Sequence, residues 1–351
     1  MKPNAIKHRN TNPNAMMAVD KDNLIRPILE AANRDPERLA LHITRLDGQK
    51  TAQQTARETA ISYRELLALA ARYQAGLQAC GLGLGDRVLV LSTVRLELYA
   101  LIIALLGLGM VPVLIDRGMS AARIRAAIRL SRAKAAVGEV AIVRYWGLFR
   151  PLWRLTRLAF DGKAFGVRNW QQDLPGSAAL HCQPLPPDAH GLITFTSGST
   201  GLPKGADRTH GSLIAQHRAI RAQWPDQPED RDSPCFPVLV LHNLSCGISS
   251  LLPPIDLGKP GHFDAGIVVD AYRQQRISRI EAAPAFMQHL CQYALQQGIP
   301  LPEVRAIAIG GSTLPDRLLP LLPQVFPNAS ILGVYGSTEA EPIAKISLEE
   351  L

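Results

Sequence analysis

Apolar residues along this 351-residue chain recur at helical spacing in some stretches and run continuously in others, and the points of change mark its elements. Ser62 and Glu65 have the spacing of a capping box, and Leu66, Leu69, Tyr73 and Leu77 follow on one face, which predicts a helix ending near Gly81. The next segment, GDRVLVL, reads as a turn and a strand. Leu98 to Ile115 then runs eighteen residues without a charge, the length of a membrane span. Gly107, Gly109 and Pro112 interrupt it, and β-branched Val111, Val113 and Ile115 follow the first breaks, so a buried helix, a turn and a buried strand are expected instead. Helix, strand, helix, strand in this order predicts an α/β fold, with helices covering the faces of a parallel sheet.

Three more apolar runs end in glycine-bearing loops. GLITF, from Gly191 to Phe195, leads into TSGSTGLPKG; Val304 to Ile309 leads into Gly310 and Gly311; and Ile331 to Val334 leads into Tyr335 and Gly336. In open α/β sheets, ligands gather at such strand ends. The first loop combines Gly198, Gly201 and Gly205, which let the backbone approach a ligand, with the hydroxyls of Thr196, Ser197, Ser199 and Thr200 and one cation, Lys204. That composition suits a phosphate. A Walker loop needs Gly-Lys-Ser/Thr in succession, and here Pro203 precedes the lysine and Gly205 follows it. In the other loops, Gly310, Gly311 and Ser312 offer bare backbone to a flat base and Tyr335 an aromatic face, while Thr338 offers a hydroxyl and Glu339 a hard oxygen ligand.

The stretch from Thr194 to Gly205 resembles the Thr-Ser-Gly-Ser/Thr-Thr-Gly-x-Pro-Lys-Gly signature of the adenylate-forming superfamily, which includes acyl-CoA synthetases, luciferases and peptide-synthetase adenylation domains. The other two loops follow in that family's order, and the resemblance runs from about Ile61 to Pro342. It implies two parallel-sheet α/β subdomains of the superfamily's large domain. We expect a disordered tail over 1–20, a first subdomain over 21–185 and a second over 186–351, with the C-terminal lid and most of the barrel absent. It also implies ATP and Mg2+ as cofactors, and it assigns adenine, the α-phosphate and magnesium to Gly310, Gly311, Ser312, Tyr335, Gly336, Thr338 and Glu339. Lys204 and the amides of Ser197 to Gly201 would stabilise charge on phosphate, with Thr196 and Ser199 positioning the β and γ groups. His242, in VLVLHNLSCG, matches the position where many acyl-activating members place a histidine beside the acyl carboxylate; a satisfied core histidine is the competing role. For His210, a helix-entry role is at least as well supported.

The implied reaction is activation of a carboxylic acid as its acyl-adenylate. Amino-acid activators resemble one another in an aspartate that holds the substrate ammonium, and no aspartate lies between Pro237 and Pro253. An acid without that amine is therefore expected, either fatty or 3-hydroxy fatty. The runs GMVPVLIDRGM and YGSTEAEPIA look most like the branch of the olefin-pathway β-lactone synthetases. CoA, a carrier-protein phosphopantetheine or the substrate's own hydroxyl would be the acceptor. Because the resemblance stops before the lid, impaired activity is expected, and the alternative is a nucleotide-binding scaffold without catalysis. The apolar LHNLSCG and APAFM segments are candidates for the acyl pocket.

Composition adds three constraints. With 47% hydrophobic and 19% charged residues the chain is globular. The polar first twenty residues hold no apolar signal core, and five scattered cysteines lack metal-ligand spacing, which suits reduced thiols in a cytoplasm. The net charge of +8 is concentrated between Arg123 and Trp170, where eleven Lys/Arg face only Glu139 and Asp161, a local net of +9. Trp146, Trp153, Trp170, Tyr145, Phe149, Phe160 and Phe165 share that segment. A helix lying in an anionic membrane interface and a solvated basic face are the two readings; nucleic acid is not expected, since no recognition module accompanies the charge.

Overall fold

The computed structural model describes residues 22–47, 55–116, 118–170, 179–196, 203–236, 238–253, 255, 261–337 and 340–350. In chain order, α1 (Arg26–Arg34) precedes the hairpin β1 (Leu39–Asp47) and β2 (Thr55–Ser62), then α2 (Tyr63–Ala79), β3 (Arg87–Leu91), α3 (Leu96–Gly107) and β4 (Val111–Ile115). Next come α4 (Ala121–Ser131), β5 (Ala135–Gly138), α5 (Val140–Val143), β6 (Thr156–Ala159), β7 (Arg168–Asn169), β8 (His190–Thr196), β9 (Lys204–Thr209) and α6 (His210–Gln223). The remainder is β10 (Arg231–Pro234), α7 (Leu239–Cys246), β11 (Ser249–Leu252), α8 (Ala265–Gln274), β12 (Arg279–Ala282), α9 (Pro284–Gln297), β13 (Ala306–Gly310), α10 (Leu322–Val325), β14 (Ser330–Tyr335) and β15 (Ala344–Ser347).

The strands form two sheets. The seven-stranded sheet has the order β7-β6-β5-β3-β4-β8-β9 and is parallel except for the β8/β9 hairpin. The eight-stranded sheet has the order β15-β14-β13-β12-β10-β11-β1-β2, with antiparallel pairs only at its two ends. Sheet membership interleaves along the chain. The early hairpin β1/β2 completes the later sheet, and a boundary between residues 185 and 186 falls between β7 and β8, both strands of the seven-stranded sheet.

Continuous apolar strands follow from burial on both faces. In β3, Val88 and Val90 belong to a core that also takes Leu41, Ile43 and Leu252 from the other sheet, whereas Leu89 packs on the opposite face with Val111, Val113 and Ile128. The first of these cores ties the two sheets together through α2, α3 and α7. All of α3 from Leu98 to Gly107 is buried, which explains its unbroken apolar sequence; no helix among the described residues is long and apolar enough to cross a membrane. Its last carbonyls cannot reach water and are met by side chains instead. Asn23 Nδ2 donates to the Leu106 carbonyl at 2.9 Å and Gln74 Nε2 to that of Ala104 at 3.2 Å. A Cβ at Gly107 would lie 2.5 Å from Gln74 Nε2, so the glycine makes room for this seal. The Ser62–Glu65 capping box forms as the spacing predicts, with Ser62 Oγ accepting from the Glu65 N–H and the Glu65 carboxylate from the Ser62 N–H.

The basic segment differs from a single interfacial helix. After α4 it breaks into α5, two short 3-10 turns at Arg144–Leu148 and Arg150–Leu152, and the strands β6 and β7. Gly147, Pro151 and the pull of the sheet override any longer helix. Its aromatics divide accordingly. Trp170 and Phe160 are core residues, Trp170 stacking on Tyr73 with centroids 4.4 Å apart, while Leu148, Trp153 and Phe165 remain exposed.

Candidate functional site

Between the two sheets lies a cavity of about 500 Å³. Its side walls are apolar and come from α3 (Leu98, Ile102), α6 (Leu213, Ile220) and α7 (Leu239, Leu241). Polar groups enter at a few points: Tyr99 from α3, Thr194 and Arg208 from the β8/β9 hairpin, Gln216 and His217 from α6, His242 and Ser245 from α7, and Ser337 and Glu341 beyond β14. An apolar hollow of this size with a few convergent polar groups is the usual form of a small-molecule site.

The glycine loops meet this cavity. Gly311, just past β13, and Gly336, just past β14, both line it. Gly311 has φ +85°, and a Cβ there would stand 3.2 Å from the Phe236 ring, so the close turn over Phe236 requires glycine. Gly310 lies at the end of β13 against the Val334 carbonyl, where a Cβ would come within 2.7 Å. It lines a smaller cavity of about 60 Å³ with Trp224, Glu281 and Glu341. Ser312 and Tyr335 are exposed at the same strand ends, Tyr335 with 68% of its surface free.

The first loop springs from a hairpin. β8 is largely buried, as its apolar sequence predicts, and it pairs in parallel with β4 and antiparallel with β9, so that Thr196 lies opposite Lys204. Lys204 is exposed at the start of β9. Ser197, Gly198, Ser199, Thr200 and Gly201, and likewise Thr338 and Glu339, lie outside the described residues.

His242 is buried on α7 and lines the cavity. Its Nδ1 is 2.9 Å from Nδ1 of His217, and its Nε2 is 3.7 Å from Sγ of Cys246. Burial, reinforced by His217 and the nearby Arg279 and Arg221, holds its pKa well below the ordinary histidine value. His210 is a buried structural residue at the first position of α6. Its Nδ1 accepts the Leu24 N–H at 3.2 Å, and burial lowers its pKa to about 4. The APAFM segment opens α9, where Phe286 and Met287 are fully buried with α8 and β13 residues; it fills core and takes no part in lining the large cavity.

Sequence reasoning missed a buried ionic cluster beside the smaller cavity. Arg279 Nε lies 3.5 Å from Asp232 Oδ2, Arg279 Nη1 3.5 Å from Asp230 Oδ2, and the guanidinium stacks on Trp224 at 4.5 Å. Glu281, on the same strand as Arg279, is buried without a hydrogen-bond partner for either carboxylate oxygen among the described residues. Charged residues at alternate positions, Asp230 just before β10 and Asp232 within it, with Arg279 and Glu281 in the adjacent β12, were the available signal. Glu341 was likewise missed. Burial raises its pKa and Arg208 opposes that rise.

The model of the AMP-binding enzyme family matches residues 28–350. An olefin β-lactone synthetase of Xanthomonas campestris pv. campestris is 28% identical over 329 residues, covering 92% of this chain and 58% of that protein. An indoleacetate–CoA ligase of Aromatoleum aromaticum is 28% identical over 298 residues, covering 82% of this chain and 57% of that protein. The chain thus spans under two thirds of the length of these relatives. Among solved structures, O-succinylbenzoate coenzyme A synthetase of Bacillus subtilis, determined in complex with AMP, superposes with a TM-score of 0.71 at 20% identity, covering 92% of this chain and 77% of that one.

Proposed function

The chain belongs to the AMP-binding enzyme family, and from that premise we propose that it takes part in ATP-dependent activation of a carboxylic acid as the acyl-adenylate. The observation that carries this reading is the apolar cavity lined also by Gly311 and Gly336, from the loops that the family resemblance gives to the nucleotide. An acyl chain would lie between α3, α6 and α7 and present its carboxylate beside Gly311 and Gly336, where the α-phosphate would sit. Two anions must meet there, so the required contribution is fixed positive charge and amide donors rather than proton transfer. Lys204 and the backbone of Ser197–Gly201 would supply them, with Thr338 against phosphate and Glu339 holding Mg2+, which when bound neutralises charge on the departing pyrophosphate. The bare backbone at Gly310 and Gly311 and the exposed ring of Tyr335 suit an adenine.

A fatty or 3-hydroxy fatty acid is the substrate class we favour, supported by the apolar walls and by the similarity to an olefin β-lactone synthetase. CoA, a carrier-protein phosphopantetheine or the substrate's own hydroxyl would then accept the acyl group. The test is pyrophosphate exchange with a panel of fatty, 3-hydroxy and aromatic acids, alongside calorimetry of ATP·Mg2+. Exchange with the aliphatic acids and loss of nucleotide binding in Lys204→Ala and Glu339→Ala are expected. Unchanged nucleotide binding in both folded variants refutes the site assignment.

Peripheral contact with an anionic membrane through 123–170 is the second part of the proposal. Exposed Leu148, Trp153 and Phe165 stand among arginines, with Arg150 over the Trp153 ring at 5.7 Å and Arg144 over Tyr145 at 4.8 Å. Binding to anionic vesicles should weaken with salt, because a Debye length of about 8 Å at physiological ionic strength screens such charge. Equal sedimentation with neutral and anionic vesicles refutes it.

A further inference from the structure

Three side chains form a connected row, Cys246, His242 and His217, whose last two members line the large cavity. Cys246 follows His242 by one turn of α7, and its Sγ is 3.7 Å from His242 Nε2; His242 Nδ1 is 2.9 Å from His217 Nδ1 across to α6. Both nitrogens of His242 are therefore occupied by protein groups, and His242 has none left to offer a ligand. His217 has one, Nε2, and His217 lines the cavity together with Leu213, Gln216 and Ile220 of the same helix face.

Proton order along the row follows from the donor inventory. Burial pushes the Cys246 thiol up to about 12, so it carries its hydrogen at neutral pH. A thiol is a poor acceptor and a bare imidazole nitrogen a good one, so S–H donates to His242 Nε2. Burial also keeps both imidazoles neutral, each with a single N–H. His242 must then hold its proton on Nδ1 and donate it to His217 Nδ1, which leaves the His217 proton on Nε2. The chain of hydrogen bonds ends in the Nε2–H of a residue that lines the cavity.

We infer that His217 is a substrate-contacting residue, that its Nε2–H donates to a hydroxyl oxygen borne on the acyl chain, and that His242 is the positioning residue that fixes the His217 tautomer. In that reading the reacting carboxylate lies beside Gly311 and Gly336, which follow β13 and β14, whereas His217 belongs to α6, with Leu213 and Ile220 of the apolar wall one turn away on either side. A donor between two apolar wall residues is placed to meet the chain. The inference rests on the acid-activation reading above and deepens it to an acid with a hydroxyl on its chain.

Two measurements on the full chain test it. Long-range nitrogen–proton NMR of histidine-labelled protein, assigned with His217→Gln and His242→Gln, should find the His217 proton on Nε2 and the His242 proton on Nδ1. A His217 proton on Nδ1 overturns the order, as does titration with Co2+ that produces a thiolate–metal absorption band, since the three ligand atoms lie within 4.8 Å of one another and a metal would displace the thiol proton. The second measurement is calorimetric affinity for matched acids with and without a chain hydroxyl. Wild type should prefer the hydroxylated acid, and His217→Phe should reduce that preference by about 3–10-fold, the worth of one neutral hydrogen bond. His217→Gln, which retains an N–H donor, should recover part of it, and His242→Phe should lose it as His217→Phe does. If wild type binds both acids and His217→Phe weakens them equally, the inference fails while acid binding stands. If wild type binds neither acid, the acid-activation reading fails and takes this inference with it.

Discussion

Relative to wild type, Glu281→Gln should make the folded protein increasingly stable as pH rises, although it removes a carboxyl group from a cluster of ion pairs. The cluster holds two cations, Arg279 and Arg305, and three carboxyl groups, Asp230, Asp232 and Glu281. Asp230 is shared between both arginines, and Asp232 lies against Arg279. Glu281 forms no ion pair among the described residues, and Glu341 adds further negative charge near it. Taking all three carboxylates out of water with only two cations is costly, so the third keeps its proton. Burial is the largest cause of the upward shift of both Glu281 and Asp232; Glu281 is raised well above the ordinary range and Asp232 to about 6. A carboxyl whose folded pKa exceeds its unfolded value, about 4.3, stabilises the fold fully below that pH and loses the contribution as pH rises toward the folded value. The loss is about 1.4 kcal/mol for each pH unit in that window. Glutamine keeps the shape and does not titrate. The stability of Glu281→Gln relative to wild type should therefore climb as pH rises above about 4.3 and continue upward until Glu281 ionises in the folded protein. Urea unfolding of both proteins at pH 5, 6, 7 and 8 gives the difference directly. A difference that is flat or that falls with pH refutes the assignment of the proton to Glu281.

Three further outcomes are expected. His210 has a folded pKa of about 4 against an unfolded value near 6.5, so its contribution is complete above about 6.5 and is lost as pH falls through 4; His210→Asn, which can still accept the Leu24 N–H, should flatten the acid limb of stability by up to about 3 kcal/mol, and parallel acid limbs would contradict this. Gly311→Ala forces a Cβ at φ +85° against Phe236 and should cost about 1–2 kcal/mol in urea unfolding, with ATP binding weakened in the folded protein; an unchanged unfolding midpoint would show that the turn relaxes freely. Gln216→Trp should block part of the cavity, ending the gain of about 0.8 kcal/mol per added methylene at shorter acids than in wild type, and identical chain-length profiles would place the acyl chain elsewhere.

What sequence could reveal here depended on the range of the interaction. The capping box at Ser62, the break of the long apolar run at Gly107 and Gly109, and the strands feeding Gly198, Gly310 and Gly336 are local features, each decided within a few residues, and the helices and strands follow them. Sheet membership is non-local. Nothing within Leu39–Ser62 indicates that this hairpin pairs with β11, two hundred residues later, because an apolar strand is equally suited to either sheet. The same limit governs the site. His242 could be picked out from its surrounding motif, but a motif does not show which way a ring nitrogen is engaged. His217, on a different helix with ordinary amphipathic spacing, carries no signal until α6 and α7 pack and bring two Nδ1 atoms to 2.9 Å. The error in the basic segment has the same origin. Charge and aromatic content cluster in this segment, yet Trp170 is drawn into the core by stacking on Tyr73, ninety-seven residues earlier, and what remains exposed is the smaller patch of Leu148, Trp153 and Phe165. Vesicle binding should accordingly respond to Trp153→Ala and Phe165→Ala, whereas Trp170→Ala should act through stability, costing about 3–5 kcal/mol as a buried aromatic truncation.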